Sequence, residues 1–198
     1  TEADDNLLGI VVSHPHQDHW GLMPRALERV PLYIGEAAHR ILGEAAFFGA
    51  GEFHREAAGY LVDRAPFDIG PFRITPYLAD HSAFDAYSLL IEADGKRLFY
   101  TGDFRAHGRK KSLFEGLVRN PPKGIDVMLT EGTTVSANGQ HRVIGATERQ
   151  VEDRLVRLFR NSNKAVFVAM SAQNIDRIVS VYRACKRSDR SFVVDLYG

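Results

Sequence analysis

Residues 13 to 19 read Ser13-His14-Pro15-His16-Gln17-Asp18-His19, placing three imidazoles and a carboxylate within six consecutive positions. This run constrains the fold because its members act together only if the backbone around them takes one particular course. A single residue between His14 and His16 lets an extended segment point both rings to one side. Asp18 and His19 reach the same point only if the chain turns back at once. Imidazole nitrogen and carboxylate oxygen are ligands for Zn²⁺ and similar ions. The run therefore asks for a strand that delivers it and a helix that begins inside it.

The flanking sequence supplies both. Leu8-Gly9-Ile10-Val11-Val12 reads as a short buried strand. From Asp18 the apolar residues Trp20, Met23, Leu27 and Val30 recur at spacings of three and four. They predict a helix with Asp18 or a neighbour at its N-cap and Pro31 as its end. A strand over 32–34 and a helix over 36–48 follow, the helix carrying Ile41, Ala45 and Phe48 on one side. Trp20, Met23, Phe47 and Phe48 are core candidates. Strands are predicted over 72–78, 87–92 and 97–101. The last two flank Asp94-Gly95, a pair suited to a type I′ hairpin turn and hence to antiparallel pairing. A short helix over 112–118, a Pro-rich loop and a buried strand over 126–130 come next, then a loop rich in Gly, Ser and Asn. Beyond residue 145 the texture becomes helix (147–160, with Val151, Leu155, Leu158 and Phe159 as its stripe), strand (165–169), helix (171–187) and strand (192–194). That alternation predicts a parallel sheet with right-handed crossovers and a domain boundary near residue 145.

No run approaches the roughly 18 apolar residues of a membrane span. The opening segment, Thr1 to Asn6, is acidic where a secretory leader is basic. Cys185 is the single cysteine and cannot form an internal disulfide, in keeping with a reducing, cytoplasmic setting. The zero net charge hides an imbalance: nine Lys/Arg against sixteen Asp/Glu up to Gly108, and the reverse after it. Bound cations suit the first part, and a polyanion such as RNA suits the second. Ordinary solvated helix faces account for the same imbalance equally well.

Two later residues at the ends of predicted strands complete the ligand candidates. These are His81 in Ala79-Asp80-His81-Ser82 and Asp103 in Thr101-Gly102-Asp103-Phe104. An aspartate can bridge two metals through its two oxygens. His39, His54, His107 and His141 lack ligand-like neighbours and read as surface or packing residues.

His14-Pro15-His16-Gln17-Asp18-His19, followed by His81 and Thr101-Gly102-Asp103, resembles the ligand series of the metallo-β-lactamase fold hydrolases across residues 8 to 135. The resemblance implies an α/β fold, a partial αββα-type sandwich over residues 1–145. It implies His14, His16 and His81 on one metal, Asp18 and His19 on a second, and Asp103 bridging, with two Zn²⁺ or alternatively Mn²⁺ as cofactors. Leu129-Thr130-Glu131-Gly132 and the run Ser171 to Arg177 resemble the β-CASP nuclease branch, ribonuclease J among its members. On that likeness residues 146–198 begin a β-CASP-like α/β domain, and Glu131 joins Asp18 and Asp103 as a catalytic candidate. Ser171 reads as a helix N-cap where a phosphate can dock, with Asn174 and Arg177 beside it. Measured against that family, the chain is expected to be a fragment lacking strands at its start and a second-metal ligand beyond Gly198. The expected function is a metal-dependent phosphodiesterase acting on nucleic acid, RNA before DNA, although such a fragment can be inactive alone. The rivals are a thioester or lactam hydrolase of the same fold and an inert scaffold of an RNA-processing complex.

Overall fold

The computed structural model describes residues 6–47, 53, 55–133 and 145–194. Its first sheet is parallel, in the order β1 (Ile10–Val12), β2 (Leu32–Gly35), β3 (Gly59–Leu61). The second holds β4 (Phe67–Ile69), β5 (Phe72–Leu78), β6 (Tyr87–Ala93), β7 (Lys96–Tyr100) and β8 (Val127–Leu129) in that order. It is antiparallel up to β7, with β8 added in parallel. The hairpin joining β6 and β7 turns at Asp94 and Gly95, both at positive φ (50° and 71°), as the Asp-Gly pair predicts.

The sheets pack face to face. Leu61, Ile69, Ile74, Tyr87 and Leu89 form a buried cluster to which Val11 and Tyr33 of the first sheet contribute. On the other face of that sheet lies α2 (Glu36–Phe47), whose Ala38 and Leu42 pack with Val12, Leu32, Ile34 and Trp20. The result is the expected partial αββα-type sandwich. The Asp85 carboxylate accepts hydrogen bonds from the Ala37 and Ala38 N–H groups (2.9 and 3.1 Å), capping α2 from across the sequence.

Several sequence expectations are corrected. The helix expected from Asp18 to Val30 is only α1 (Gln17–Trp20) and a 3₁₀ turn at Met23–Arg25. Pro24 has no N–H for the Trp20 carbonyl and its ring would clash there, so the helix cannot propagate. Trp20, Met23 and Val30 are nevertheless buried, their spacing served by turns. His16, not Asp18, occupies the N-cap and makes no side-chain cap bond. β8 was expected to be buried but lies at the sheet edge, and Val127, Met128 and Leu129 are all at least half exposed. The side chains of Phe47 and Phe48 and the loop over 134–144 fall outside the described residues.

After α3 (Lys111–Arg119) and β8 come α4 (Glu148–Arg160) and α5 (Ile175–Arg187), packed through Val156, Phe159, Val181, Ala184 and Cys185. Thr147 and Gln150 close a capping box on α4. Leu158 of the expected stripe is half exposed, while Glu148 and Glu152 are buried on the packed side because arginines pair with them. The strands expected over 165–169 and 192–194 are not formed, since neither stretch has a paired neighbour among the described residues. α5 begins four residues after Ser171, with Asn174 as N-cap. The Asn174 side chain accepts the Arg177 N–H at 3.1 Å, displacing Ser171 from the expected capping role.

Candidate metal centre

The ends of β1, β6 and β7 converge. The Tyr87 N–H donates to the Ser13 carbonyl at 2.9 Å, holding β6 against the end of β1. Gly102, at φ 54°, follows β7 where a Cβ would lie 2.8 Å from the Tyr87 carbonyl oxygen. Only glycine lets the backbone pass this closely and bring Asp103 to the histidines.

Two ligand groups result. His14, His16, His81 and Asp103 form one, and Asp18, His19 and Asp103 the other, each with candidate ligand atoms within 4.8 Å of one another. His16 Nδ1 stands 3.1 Å from His81 Nε2. Asp103 Oδ2 lies 3.8 Å from His14 Nε2 and 3.9 Å from His81 Nε2. Ligand atoms on a tetrahedral zinc at ~2.0–2.1 Å are about 3.3 Å apart, so this spacing needs only small closure. In the other group His19 Nε2 lies 3.4 Å from Asp103 Oδ1 and 3.6 Å from Asp18 Oδ2. Asp103 thus turns one oxygen toward each group. Asp18 is the most exposed member.

The buried Nε2 of His14 has no hydrogen-bond partner among the described residues. An orphaned imidazole nitrogen aimed into a ring of histidines fits a metal ligand and is costly otherwise. Ring nitrogens of His14, His19 and His16 that face away from the centre have partners. Ser13 Oγ lies 3.2 Å from His14 Nδ1 and 3.5 Å from His19 Nδ1, and the Tyr100 hydroxyl 3.4 Å from the latter. The backbone of Gln173 hydrogen-bonds the His16 ring. Ser13, Tyr100 and Gln173 were not foreseen. Ser13 adjoins the motif, but a backbone contact such as that of Gln173 has no residue-type signature.

Burial pushes the His14 imidazole down to about 2 and that of His81 to about 3, reinforced by the neighbouring histidines, and lowers His16 as well. Burial raises the Asp103 carboxyl, with Glu131 adding repulsion while His19 opposes it. Neutral imidazoles keep their lone pairs available to a metal. The same shifts set the pH response of the metal-free protein. Unfolded histidines take up protons near pH 6.5 while His14 and His81 in the folded chain do not, so stability falls as pH drops below that point. Moving the chelator-treated protein from pH 7 to pH 5 should cost about 3 kcal/mol. Thermal melts in chelator check this, and a melting temperature that is flat or rises on acidification would contradict it.

Of the other expected residues, Glu131 accepts the Phe104 N–H through Oε1 at 2.6 Å and so holds the loop that carries Asp103. Asn174 and Arg177 line a cleft of about 480 Å³ together with His81, Asp103, Glu131 and Arg105. Arg177 is paired with Glu148 at 3.0–3.1 Å. Ser171 is exposed, and its Oγ accepts the Gln173 N–H at 3.3 Å. His39 has a packing role, its Nε2 2.8 Å from the Arg55 carbonyl oxygen. His107 lines the same cleft, and His54 and His141 fall outside the described residues.

The family model for the Beta-lactamase superfamily domain matches residues 2–170. Ribonuclease J of Corynebacterium glutamicum is 26% identical over 191 residues, covering 91% of this chain and 25% of the relative. Ribonuclease J of Helicobacter pylori is 24% identical over 98% of this chain and 28% of its own length. That of Mycobacterium tuberculosis is 25% identical over 91% of this chain and 32% of its length. The chain therefore spans about a quarter to a third of these curated relatives. A crystal structure of a protein of unknown function from Enterococcus faecalis superposes with a TM-score of 0.77 at 22% identity, covering 95% of this chain and 50% of that one. This last likeness speaks for the fold.

Proposed function

Since the chain belongs to the Beta-lactamase superfamily, we propose that it is the metal-holding part of a phosphodiesterase that cleaves nucleic acid, RNA foremost. The observation that carries this reading is Asp103, whose two oxygens face two separate ligand groups beside a cleft lined by Arg105, Asn174 and Arg177. Its similarity to ribonucleases J over nine-tenths or more of its length points to the same substrate class.

His14, His16, His81 and Asp103 would hold one ion and Asp18, His19 and Asp103 the other, with zinc favoured by the predominance of imidazole and manganese the alternative. Bound there, the ions supply Lewis acidity that lowers the pKa of an adjacent water and offsets charge building on phosphorus. The protein does the rest. Ser13 and the Gln173 backbone fix ring orientations, so that His14 and His16 present single nitrogens to the centre. Asp18, open to solvent, would accept a hydrogen bond from the attacking water and orient it. Glu131 keeps Asp103 in place through the Phe104 N–H. Residues from 146 onward form the far wall of the cleft, where Arg177 and the N-terminal end of α5 near Ser171 and Asn174 receive a substrate phosphate. The basic surplus after Gly108 draws a polyanion toward that wall.

Purified protein should cleave labelled RNA, lose the activity with a chelator and regain it with zinc or manganese. Hydrolysis of thioesters or lactams without RNA cleavage would overturn the reading in favour of a small-molecule hydrolase. A metal-loaded full-length protein carrying this chain that cleaves neither would be the inert scaffold. Matched DNA in the same assay separates the two nucleic acids.

A further inference from the structure

His14 and His19 belong to different ligand groups, yet their rings lie side by side with centroids 3.9 Å apart. Both turn Nε2 toward Asp103, at 3.8 Å from Oδ2 and 3.4 Å from Oδ1 respectively. Their other nitrogens meet at a second shared atom. Ser13 Oγ lies 3.2 Å from His14 Nδ1 and 3.5 Å from His19 Nδ1. The two rings are thus bridged at both edges, by a carboxylate where the ions would sit and by a hydroxyl behind them. Ser13 is held in that place. It is 3% exposed, so bulk water does not compete for its hydroxyl, and its carbonyl accepts the Tyr87 N–H at 2.9 Å.

We infer that Ser13 is a positioning residue common to both metal sites, one hydroxyl fixing the tautomer and the orientation of a ligand in each. The inference rests on the two-ion assignment above and is independent of the substrate. A neutral imidazole that ligates through Nε2 carries its proton on Nδ1. With His14 and His19 both ligating, two N–H groups point at Ser13 Oγ, and a hydroxyl oxygen has two lone pairs to receive them. The rings do not depend on it equally. His19 Nδ1 also stands 3.4 Å from the Tyr100 hydroxyl, whereas among the described residues Ser13 is the partner of His14 Nδ1. Loss of the hydroxyl therefore strands a buried N–H in the first group and leaves the second a substitute acceptor.

Zinc affinity of the full-length protein carrying this chain, measured by competition with a chelator well below the melting temperature, reads each site once the other is disabled. Asp18→Ala leaves the first ligand group complete, and His81→Ala leaves the second. In the Asp18→Ala background, adding Ser13→Ala should weaken zinc binding by about ten- to a hundredfold, as loss of an outer-shell partner does. In the His81→Ala background the loss should be smaller, about tenfold, because Tyr100 still serves His19. Ser13→Thr keeps the hydroxyl and should hold both affinities within about threefold of the Ser13 parent. A loss confined to one background, or none in either, overturns the shared role. Equal losses for Ser13→Thr and Ser13→Ala overturn it too, since packing and not the hydroxyl would then be at work. No zinc binding by the unsubstituted protein overturns the two-ion assignment with it. The expected zinc losses in a protein that leaves RNA uncut uphold the role of Ser13 while the nucleic-acid reading falls.

Discussion

Asp103→Ala is expected to lower metal-dependent cleavage by roughly a thousandfold or more, and bound metal should fall from two ions to one or none. The size follows from the place of the residue. Every other ligand belongs to one group, whereas Asp103 offers Oδ2 to His14 and His81 and Oδ1 to His19. Among the described residues its loss leaves three histidines on one side and Asp18 and His19 on the other. Two ligands from adjacent residues, one of them exposed, hold an ion poorly. Loss of charge stabilisation worth several kcal/mol corresponds to about three orders of magnitude in rate. His16→Ala should act more narrowly, because it leaves the second group complete. Elemental analysis beside the cleavage assay checks both. A variant lacking Asp103 that keeps two ions and more than about a tenth of the activity would refute the bridging assignment.

The clustering of these six residues was legible because a metal site demands particular residue types, and four of the six lie within six consecutive positions. His81 and Asp103 were found because strands deliver functional side chains at their ends, here at the loops after β5 and β7. What stayed hidden depends on partners distant in sequence or lacking side-chain identity. The spacing of Trp20, Met23 and Val30 is the same whether a helix or a pair of turns buries them, and only the backbone chemistry of Pro24 decides. The apolar runs over 165–169 and 192–194 satisfy every local criterion for a strand, but a strand exists only where a neighbour completes its hydrogen bonds. Glu148, Glu152 and Asp176 sit at positions that look solvent-facing, and their burial makes sense only once the arginines from 105 to 187 come to meet them.

Those arginines lead to the second large effect: Arg105→Ala should destabilise the protein by about 3–5 kcal/mol. The Arg105 guanidinium is 11% exposed and pairs with Asp176, lies 3.8 Å from Asp80 and 4.0 Å from Glu148. Its removal strands carboxylates with unequal alternatives. Glu148 keeps Arg177 and Ser180, and Asp176 keeps the Arg109 N–H at 3.0 Å. Asp80, fully buried, retains among the described residues the backbone donors of Gly108 and Lys110, and burial already raises its carboxyl. It is therefore expected to take up a proton in the variant, which limits the loss. For a chain of this size the change corresponds to a melting temperature lower by about 10 °C. Arg105→Lys should recover part of it, because an ammonium supplies charge without the planar fork. Pairing Arg105→Met with Asp80→Asn should cost less than the two changes added, since each removes the other's unpaired charge. A melting temperature within about 2 °C of the parent for Arg105→Ala would show that the network is energetically idle. A buried ion pair is weak evidence for net stability, because apolar residues often replace one without loss. What this network adds is registry. Arg105 follows Asp103 by two residues, Asp80 precedes His81 directly, and Asp176 sits in the first turn of α5, just beyond the Gln173 backbone that contacts His16. One guanidinium thus holds α5 against the two loops that present ligands, so Arg105→Ala should also weaken metal binding by roughly ten- to a hundredfold, as loss of outer-shell support does elsewhere. Zinc titration of the folded variant at a temperature well below its melting point separates that effect from unfolding, and an unchanged zinc affinity there would limit Arg105 to a purely structural role.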